Sequence, residues 1–123
     1  MAFEKEDYEV LQERYEHILK KLPYIECDIG WFDLIDEALR DILNIAFEED
    51  ENIQVVQIKE KFGGLRIYYD ADTEDEDRLR RLEDIVYNAE KVSYKTCEVC
   101  GEEGKPRKGV WIKTLCDVHN TRR

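Results

Sequence analysis

Three cysteines and a histidine near the C-terminus impose the tightest constraint on how this chain folds. They are spaced Cys97-x2-Cys100-x15-Cys116-x2-His119. Each x2 spacing lets two side chains point at one ion from a single tight turn. The 15-residue arm brings the second pair round to complete a tetrahedral set. The pattern predicts one zinc ion held by Cys97, Cys100, Cys116 and His119. Four protein ligands close the coordination shell, so the predicted site is structural; a catalytic zinc keeps a position open for water. Three thiolates and a neutral imidazole leave the site negative, and Lys95, Lys105, Lys108 and Lys113 are candidates to balance it. Gly101 suits the turn out of the first pair. Val110-Trp111-Ile112 reads as a short apolar strand, and residues 116–120 as the first turn of a terminal helix. These features predict a treble-clef or zinc-ribbon-like module, with the metal organising a segment too poor in apolar residues for its own core.

Two other uses of the cysteines compete with this one. A redox Cys-x-x-Cys normally opens a helix inside a βαβ unit, and the Glu, Gly, Lys and Pro around Cys100 do not form that pattern. A disulfide framework belongs to small, cysteine-dense exported chains. Here there are four cysteines in 123 residues, and the acidic start, residues 1–7, lacks the apolar stretch of a secretory signal. A reducing cytoplasm is the expected compartment. The leftover Cys27 reads as a small buried hydrophobe. A catalytic thiol there would want a histidine, and the only free one, His17, lies opposite an apolar stripe and is expected at the surface.

Charge divides the chain. Residues 1–90 carry 11 Lys/Arg against 26 Asp/Glu, whereas residues 91–123 carry 8 against 4, for a total of −11. At 40% charged residues disorder has to be considered, but Leu, Ile, Val and Phe supply 33 of the 123 positions, enough for a folded core. No apolar run approaches the roughly 20 residues a membrane-spanning helix needs. The composition breaks near Ser93, which places an acidic body at 1–92 and a metal module at 93–123. The acidic body should repel nucleic acid and attract basic surfaces.

Within the body, Tyr8, Leu11, Tyr15, Ile18, Leu19 and Leu22 recur at helical spacing and predict an amphipathic helix over 5–22, ended by Pro23. Residues 23–30 read as a connector. Trp31, Leu34, Ile35, Ala38, Leu39, Ile42, Leu43, Ile45 and Ala46 predict a more central helix over 31–49. Ile53 to Phe62 reads as a strand with Gln54, Val56, Ile58, Glu60 and Phe62 on one face. Gly63-Gly64 then supplies the hairpin turn, and Leu65, Ile67 and Tyr69 alternate along the return strand. A third helix is expected over 74–92, with Leu79, Leu82, Ile85, Val86, Ala89 and Val92 inward and a Thr73/Glu76 capping box. The six acids among residues 70–77 have two readings. They are a capped, solvated helix start, or a docking patch formed by Asp70, Asp72, Glu74, Asp75 and Asp77. Their spacing does not fit a calcium loop.

Enzyme signatures are missing. There is no G-x-S-x-G, phosphate-binding loop, H-E-x-x-H or zinc-deaminase pattern. No histidine lies between Cys100 and Cys116 to hold a second, catalytic metal. Residues 59–66, KEKFGGLR, read as a functional loop with a basic fork or, more simply, as the hairpin itself.

Four segments stand in order: GWFDLI at 30–35, QIKEKFGGLR at 57–66, TCEVCG at 96–101 and WIKTLCDVH at 111–119. This set resembles a family of small, functionally uncharacterised proteins of bacteria and their phages. The resemblance covers residues 30–119. It implies a compact domain plus a zinc module, and its phage members suggest an inhibitor of a host defence protein.

The expected fold is therefore α+β: helices packed on a small antiparallel hairpin or sheet, then the zinc module. The expected function is non-enzymatic docking of the acidic body on a protein partner with a basic surface. The alternative is a nucleic-acid-associated protein that binds through Lys105, Arg107, Lys108 and Lys113, extended by Arg122 and Arg123.

Overall fold

A computed structural model describes residues 2–48 and 52–120. The chain runs α1 (Lys5–Arg14), β1 (Ile25–Glu26), α2 (Phe32–Glu48), β2 (Asn52–Lys61), β3 (Gly64–Asp72), α3 (Glu76–Ser93), β4 (Lys105–Arg107) and β5 (Lys113–Leu115). The fold is α+β, with three α-helices and two small sheets among the described residues. One sheet has the order β1-β2-β3 and the other pairs β4 with β5.

α2 is the spine of the body. Ile35, Ala38, Leu39, Ile42, Ile45 and Ala46 recur on its inner face and are buried. They join Ile53, Val55, Ile58, Leu65 and Ile67 of the sheet and Leu82 and Ala89 of α3 in one apolar cluster. Leu11, Tyr15, Ile18, Leu19 and Leu22 close that cluster from the N-terminal side. The stripe expected on a helix over 5–22 does face inward, but α1 stops at Arg14 and a 3-10 turn covers Glu16–Ile18. Side chains take over the backbone pairing there. Gln54 Nε2 donates to the His17 carbonyl at 2.8 Å, and the Lys20 N–H donates to Gln54 Oε1 at 3.1 Å. Tyr15 Oη donates to the Asp36 carbonyl at 2.9 Å, which fixes the break against α2.

Three further expectations need correction. Residues 23–30 are not all connector, because Ile25 and Glu26 pair with Ile58 and Lys59 in parallel, making the sheet mixed. The β2 face assignment fails at a β-bulge between Val55 and Gln57. An extra residue shifts the two-residue period, so Ile53 and Val55 face the core before the bulge and Ile58 after it. The hairpin turn is Phe62-Gly63, with φ of 55° and 84°, and Gly64 already pairs with Lys61. Gly64 is needed for a different reason: a Cβ there would lie 2.5 Å from Tyr94 Oη.

α3 begins at Glu76, and its cap is Asp75 in place of the expected Thr73/Glu76 box. The Asp75 carboxylate accepts from the Asp77 and Arg78 N–H groups at 2.9 and 3.2 Å. Val92, expected inward, is exposed. Arg81 reaches across to Glu48 with two hydrogen bonds of 2.8 Å, tying α3 to the end of α2. Residue 49, the expected end of the second helix, lies outside the described residues. Among those that are described, no helix is long and apolar enough to cross a membrane.

Candidate metal centre

Two tight turns and a hairpin build the site. In the first turn the Gly101 N–H donates to the Cys97 carbonyl at 2.9 Å, which folds Cys97 and Cys100 toward the same point. In the second the Asn120 N–H donates to the Cys116 carbonyl at 3.0 Å and does the same for Cys116 and His119. The β4-β5 hairpin sets the two turns face to face. The Cys97 N–H donates to the Glu102 carbonyl at 2.7 Å, and the Glu98 N–H to the Thr114 carbonyl at 3.0 Å.

The four ligand atoms lie within 4.8 Å of one another. Cys100 Sγ is 3.7 Å from Cys116 Sγ, and His119 Nδ1 is 3.2 Å from Cys116 Sγ and 3.8 Å from Cys97 Sγ. A tetrahedron with metal–sulfur bonds of about 2.3 Å has sulfur–sulfur edges of about 3.8 Å and sulfur–nitrogen edges of about 3.5 Å. The cluster has that size, so Cys97, Cys100, Cys116 and His119 can hold a metal ion. None of the four cysteines of the chain is in a disulfide. Cys97 and Cys116 are buried and Cys100 is exposed, so the cluster opens to the surface on one side. Burial opposes ionisation of the Cys97 thiol, but the backbone N–H groups of Cys116, Cys100 and Val99 outweigh it and bring the thiol down to about 6. Metal binding takes the thiolate, so this environment favours the ligand form.

The module is joined to the body through a polar seam. Gly30 donates its N–H to the Glu98 carbonyl at 2.7 Å, and a Cβ at Gly30 would fall 2.3 Å from the Cys97 carbonyl oxygen. Trp31 is fully buried and donates its indole N–H to the Thr96 carbonyl at 2.8 Å. From the hairpin turn, the Gly63 carbonyl accepts the Thr114 hydroxyl at 2.6 Å. Lys113 bridges Glu60 at 3.1 Å and Glu98 at 3.4 Å, and Glu98 also accepts the Asp28 N–H at 3.0 Å. Burial pushes the Glu98 carboxyl upward, against the Asp28 N–H and Lys113 that favour its charge.

Nothing in the sequence marked Glu98 as a buried hinge between the two parts. The nearest signal was the motif-like character of residues 30–35, 57–66 and 111–119, which all meet at this seam. KEKFGGLR is thus the hairpin, and its charged residue Glu60 serves the seam.

The remaining candidates are scattered. Asp70 and Asp72 sit at the end of β3, Glu74 lies in the connection, and Asp75 and Asp77 start α3; all five are exposed. Asp75 caps α3, and Asp77 pairs with Arg80 at 2.8 Å. Of the basic candidates, Lys105 and Lys108 are exposed, but Arg107 is held by the Leu115 carbonyl and by Asp117 at 2.8 Å. Lys113 belongs to the seam, and Arg122 and Arg123 lie outside the described residues.

Val110-Trp111-Ile112 is not a strand. It is an exposed loop, with Trp111 74% exposed, and the strand of this arm is β5. Residues 116–120 form a turn with no helix among the described residues. Cys27 is buried as expected, and burial with the nearby Glu98 and Asp28 carboxylates pushes its thiol up. A thiol held neutral is a poor nucleophile. His17 is half-buried rather than exposed, its ring 5.0 Å from that of Phe47. Compared with family models, curated proteins and solved structures, the chain shows no significant match.

Proposed function

We propose that the chain is a non-enzymatic protein-interaction module, an acidic body stabilised at its C-terminal end by one structural zinc ion. The observation that carries this reading is the Cys3His set of tetrahedral size. Thiolate and imidazole ligands suit zinc, and four of them leave no position for a reacting water. The module is ribbon-like in this reading, with two ligand turns bracketing a β-hairpin. Thiolates of this kind persist in a reducing cytoplasm.

The partner is a protein with a basic surface. The charge of the body supports this, as do Asp70, Asp72 and Glu74, which have no ion pair among the described residues. The family resemblance directs the search to host proteins that such a chain would block. Engagement of Arg107 and Lys113 inside the protein argues against a nucleic-acid surface in the module.

The test has two arms. Elemental analysis of purified protein should give one zinc per chain, lost in Cys97→Ser. Tagged protein in a bacterial lysate should retain a protein after nuclease treatment and release it as salt rises. Retention that disappears with nuclease would replace the docking reading with the nucleic-acid one.

A further inference from the structure

Among the described residues β3 is an edge strand, paired only with β2. Hydrogen bonding alternates along an antiparallel pair. Lys61 and Gly64 flank the two-residue turn, so Gly64, Arg66 and Tyr68 direct their backbone groups toward β2. Leu65, Ile67 and Tyr69 direct theirs away. Leu65 confirms this phase, because its N–H donates to Ser93 Oγ on α3 at 2.9 Å. Ile67 and Tyr69 share that phase, and among the described residues no side-chain acceptor meets their N–H groups as Ser93 meets that of Leu65. An unpaired edge of this kind is a template for another strand.

A groove of about 570 Å³ lies against that edge. It is lined by four consecutive residues of β3, Arg66 to Tyr69, and by α3 residues that include Glu83, Asp84, Tyr87 and Glu90. Side chains alternate between the faces of a strand, so four in a row share one cavity when it runs along the backbone edge. The lining is aromatic and acidic. Three carboxylates face one cation, Arg66, which pairs with Glu90 at 3.3 Å and whose buried Nε has no hydrogen-bond partner. The tyrosine rings already draw cations: Lys59 Nζ lies 5.9 Å from the Tyr68 ring centre and Lys91 Nζ lies 5.4 Å from that of Tyr87.

We propose that this groove receives an extended basic segment of a partner protein, which adds to β3 as a further strand by pairing with Ile67 and Tyr69 and sets Arg or Lys side chains among Tyr87, Glu83 and Asp84. The unpaired edge selects an extended peptide backbone and the carboxylates select its charge. This inference rests on the docking reading above, and it moves the contact from the acidic run at 70–77 to the groove beside it.

The test is selection of a random linear heptapeptide library, displayed on phage, on the full zinc-loaded chain and on the exposed-site variant Glu83→Lys/Asp84→Lys. Enrichment of peptides with alternating Arg or Lys on the wild type alone is expected. A synthetic selected peptide should slow amide exchange at Ile67 and Tyr69 at least tenfold. Its binding should weaken at least tenfold when its backbone is N-methylated, and similarly in Tyr87→Ala, which guards against a folding defect in the double variant. Equal enrichment on both chains, no enrichment on either, or binding that leaves the Ile67 and Tyr69 amides unprotected would overturn the proposal. The double variant also separates the two readings. If it still captures a basic partner protein, docking stands and the groove falls. If neither chain captures a protein, docking falls, and the groove is judged on the peptide data alone.

Discussion

The body, up to residue 92, and the Cys3His module after it differ most in how much apolar burial they hold. The body closes one continuous apolar cluster drawn from every helix and the main sheet. The module's apolar cluster is only Cys97, Leu115 and Cys116, with Val99 packed beside them, and two of those three are in the Cys3His set that can hold a metal ion. Burial at about 25 cal/mol per Å² of apolar surface can sustain the first. It cannot sustain the second, where ordering some 28 residues costs on the order of 1.5 kcal/mol for each. The comparison teaches that the module has to draw on something outside its own apolar content, of which the seam is one source and a bound ion would be the other.

Removing the ion should have the largest effect. Structural zinc contributes an apparent ~10–16 kcal/mol in small zinc modules, so a strong chelator or Cys97→Ser should unfold residues 93–120 while the body keeps its helices. Amide exchange reads both parts at once. Protection of the module that survives without metal would break the comparison. Trp31 tests the seam. Trp31→Ala should cost about 3–5 kcal/mol, comparable with Leu39→Ala at about 2–5 kcal/mol. The two differ in reach: Leu39 lies in the body core alone, whereas Trp31 also holds the Thr96 carbonyl. Zinc competition should therefore show weaker metal binding in Trp31→Ala and unchanged binding in Leu39→Ala. Equal zinc affinity in both would mean that the seam contributes nothing to the module.

The same division governs how much was readable from residues alone. The candidate ligand set was legible because its chemistry dictates its spacing, and the core of α2 because eight of its apolar positions fall on a helical period. What escaped depends on contacts distant in sequence. Gln54 ends the regular helical pairing near His17 from 37 residues away, and no local propensity announces that. The bulge at Val56 is invisible in a short alternating run, and it inverts the faces assigned beyond it. Val110-Trp111-Ile112 has strand-like residues but no strand partner, and the β4-β5 register begins only at Lys113. Glu98 looks like an ordinary charged residue of a ligand turn until Asp28 and Lys113 are placed around it.

A smaller effect should come from Tyr15, which locks the break after α1 to α2. Tyr15→Phe removes a buried hydroxyl that donates to Asp36, a loss of roughly 0.5–1.5 kcal/mol. Burial first, then the Asp36 carboxylate, raises the Tyr15 phenol to about 12. The folded state therefore keeps a proton that the unfolded chain loses near pH ~10. Stability of the body should fall as pH rises from about 10 to about 12, and Tyr15→Phe should flatten that decline. Denaturant melts of wild type and variant across this range measure the difference. An undiminished slope in the variant would assign the alkaline loss to other groups.

The smallest expected effect is a gain, and it sits where the two regions touch. Phe62 occupies the first central position of the hairpin turn with a φ of 55°, yet its side chain is 65% exposed. A non-glycine residue in the left-handed region costs roughly 1–2 kcal/mol, and an exposed ring returns little of that through burial. Asn tolerates this conformation, and Asn-Gly is the preferred pair for such a turn. Phe62→Asn should therefore stabilise the body by ~0.5–1 kcal/mol, read as a higher denaturant midpoint with an unchanged slope. The backbone of the turn should stay in place, because the Thr114 hydroxyl is held by the Gly63 carbonyl and not by the Phe62 ring. Zinc affinity should stay unchanged for the same reason. A variant that gains stability in the body but loses zinc affinity would show that the ring helps hold the module, and the seam would then be partly apolar rather than a polar joint.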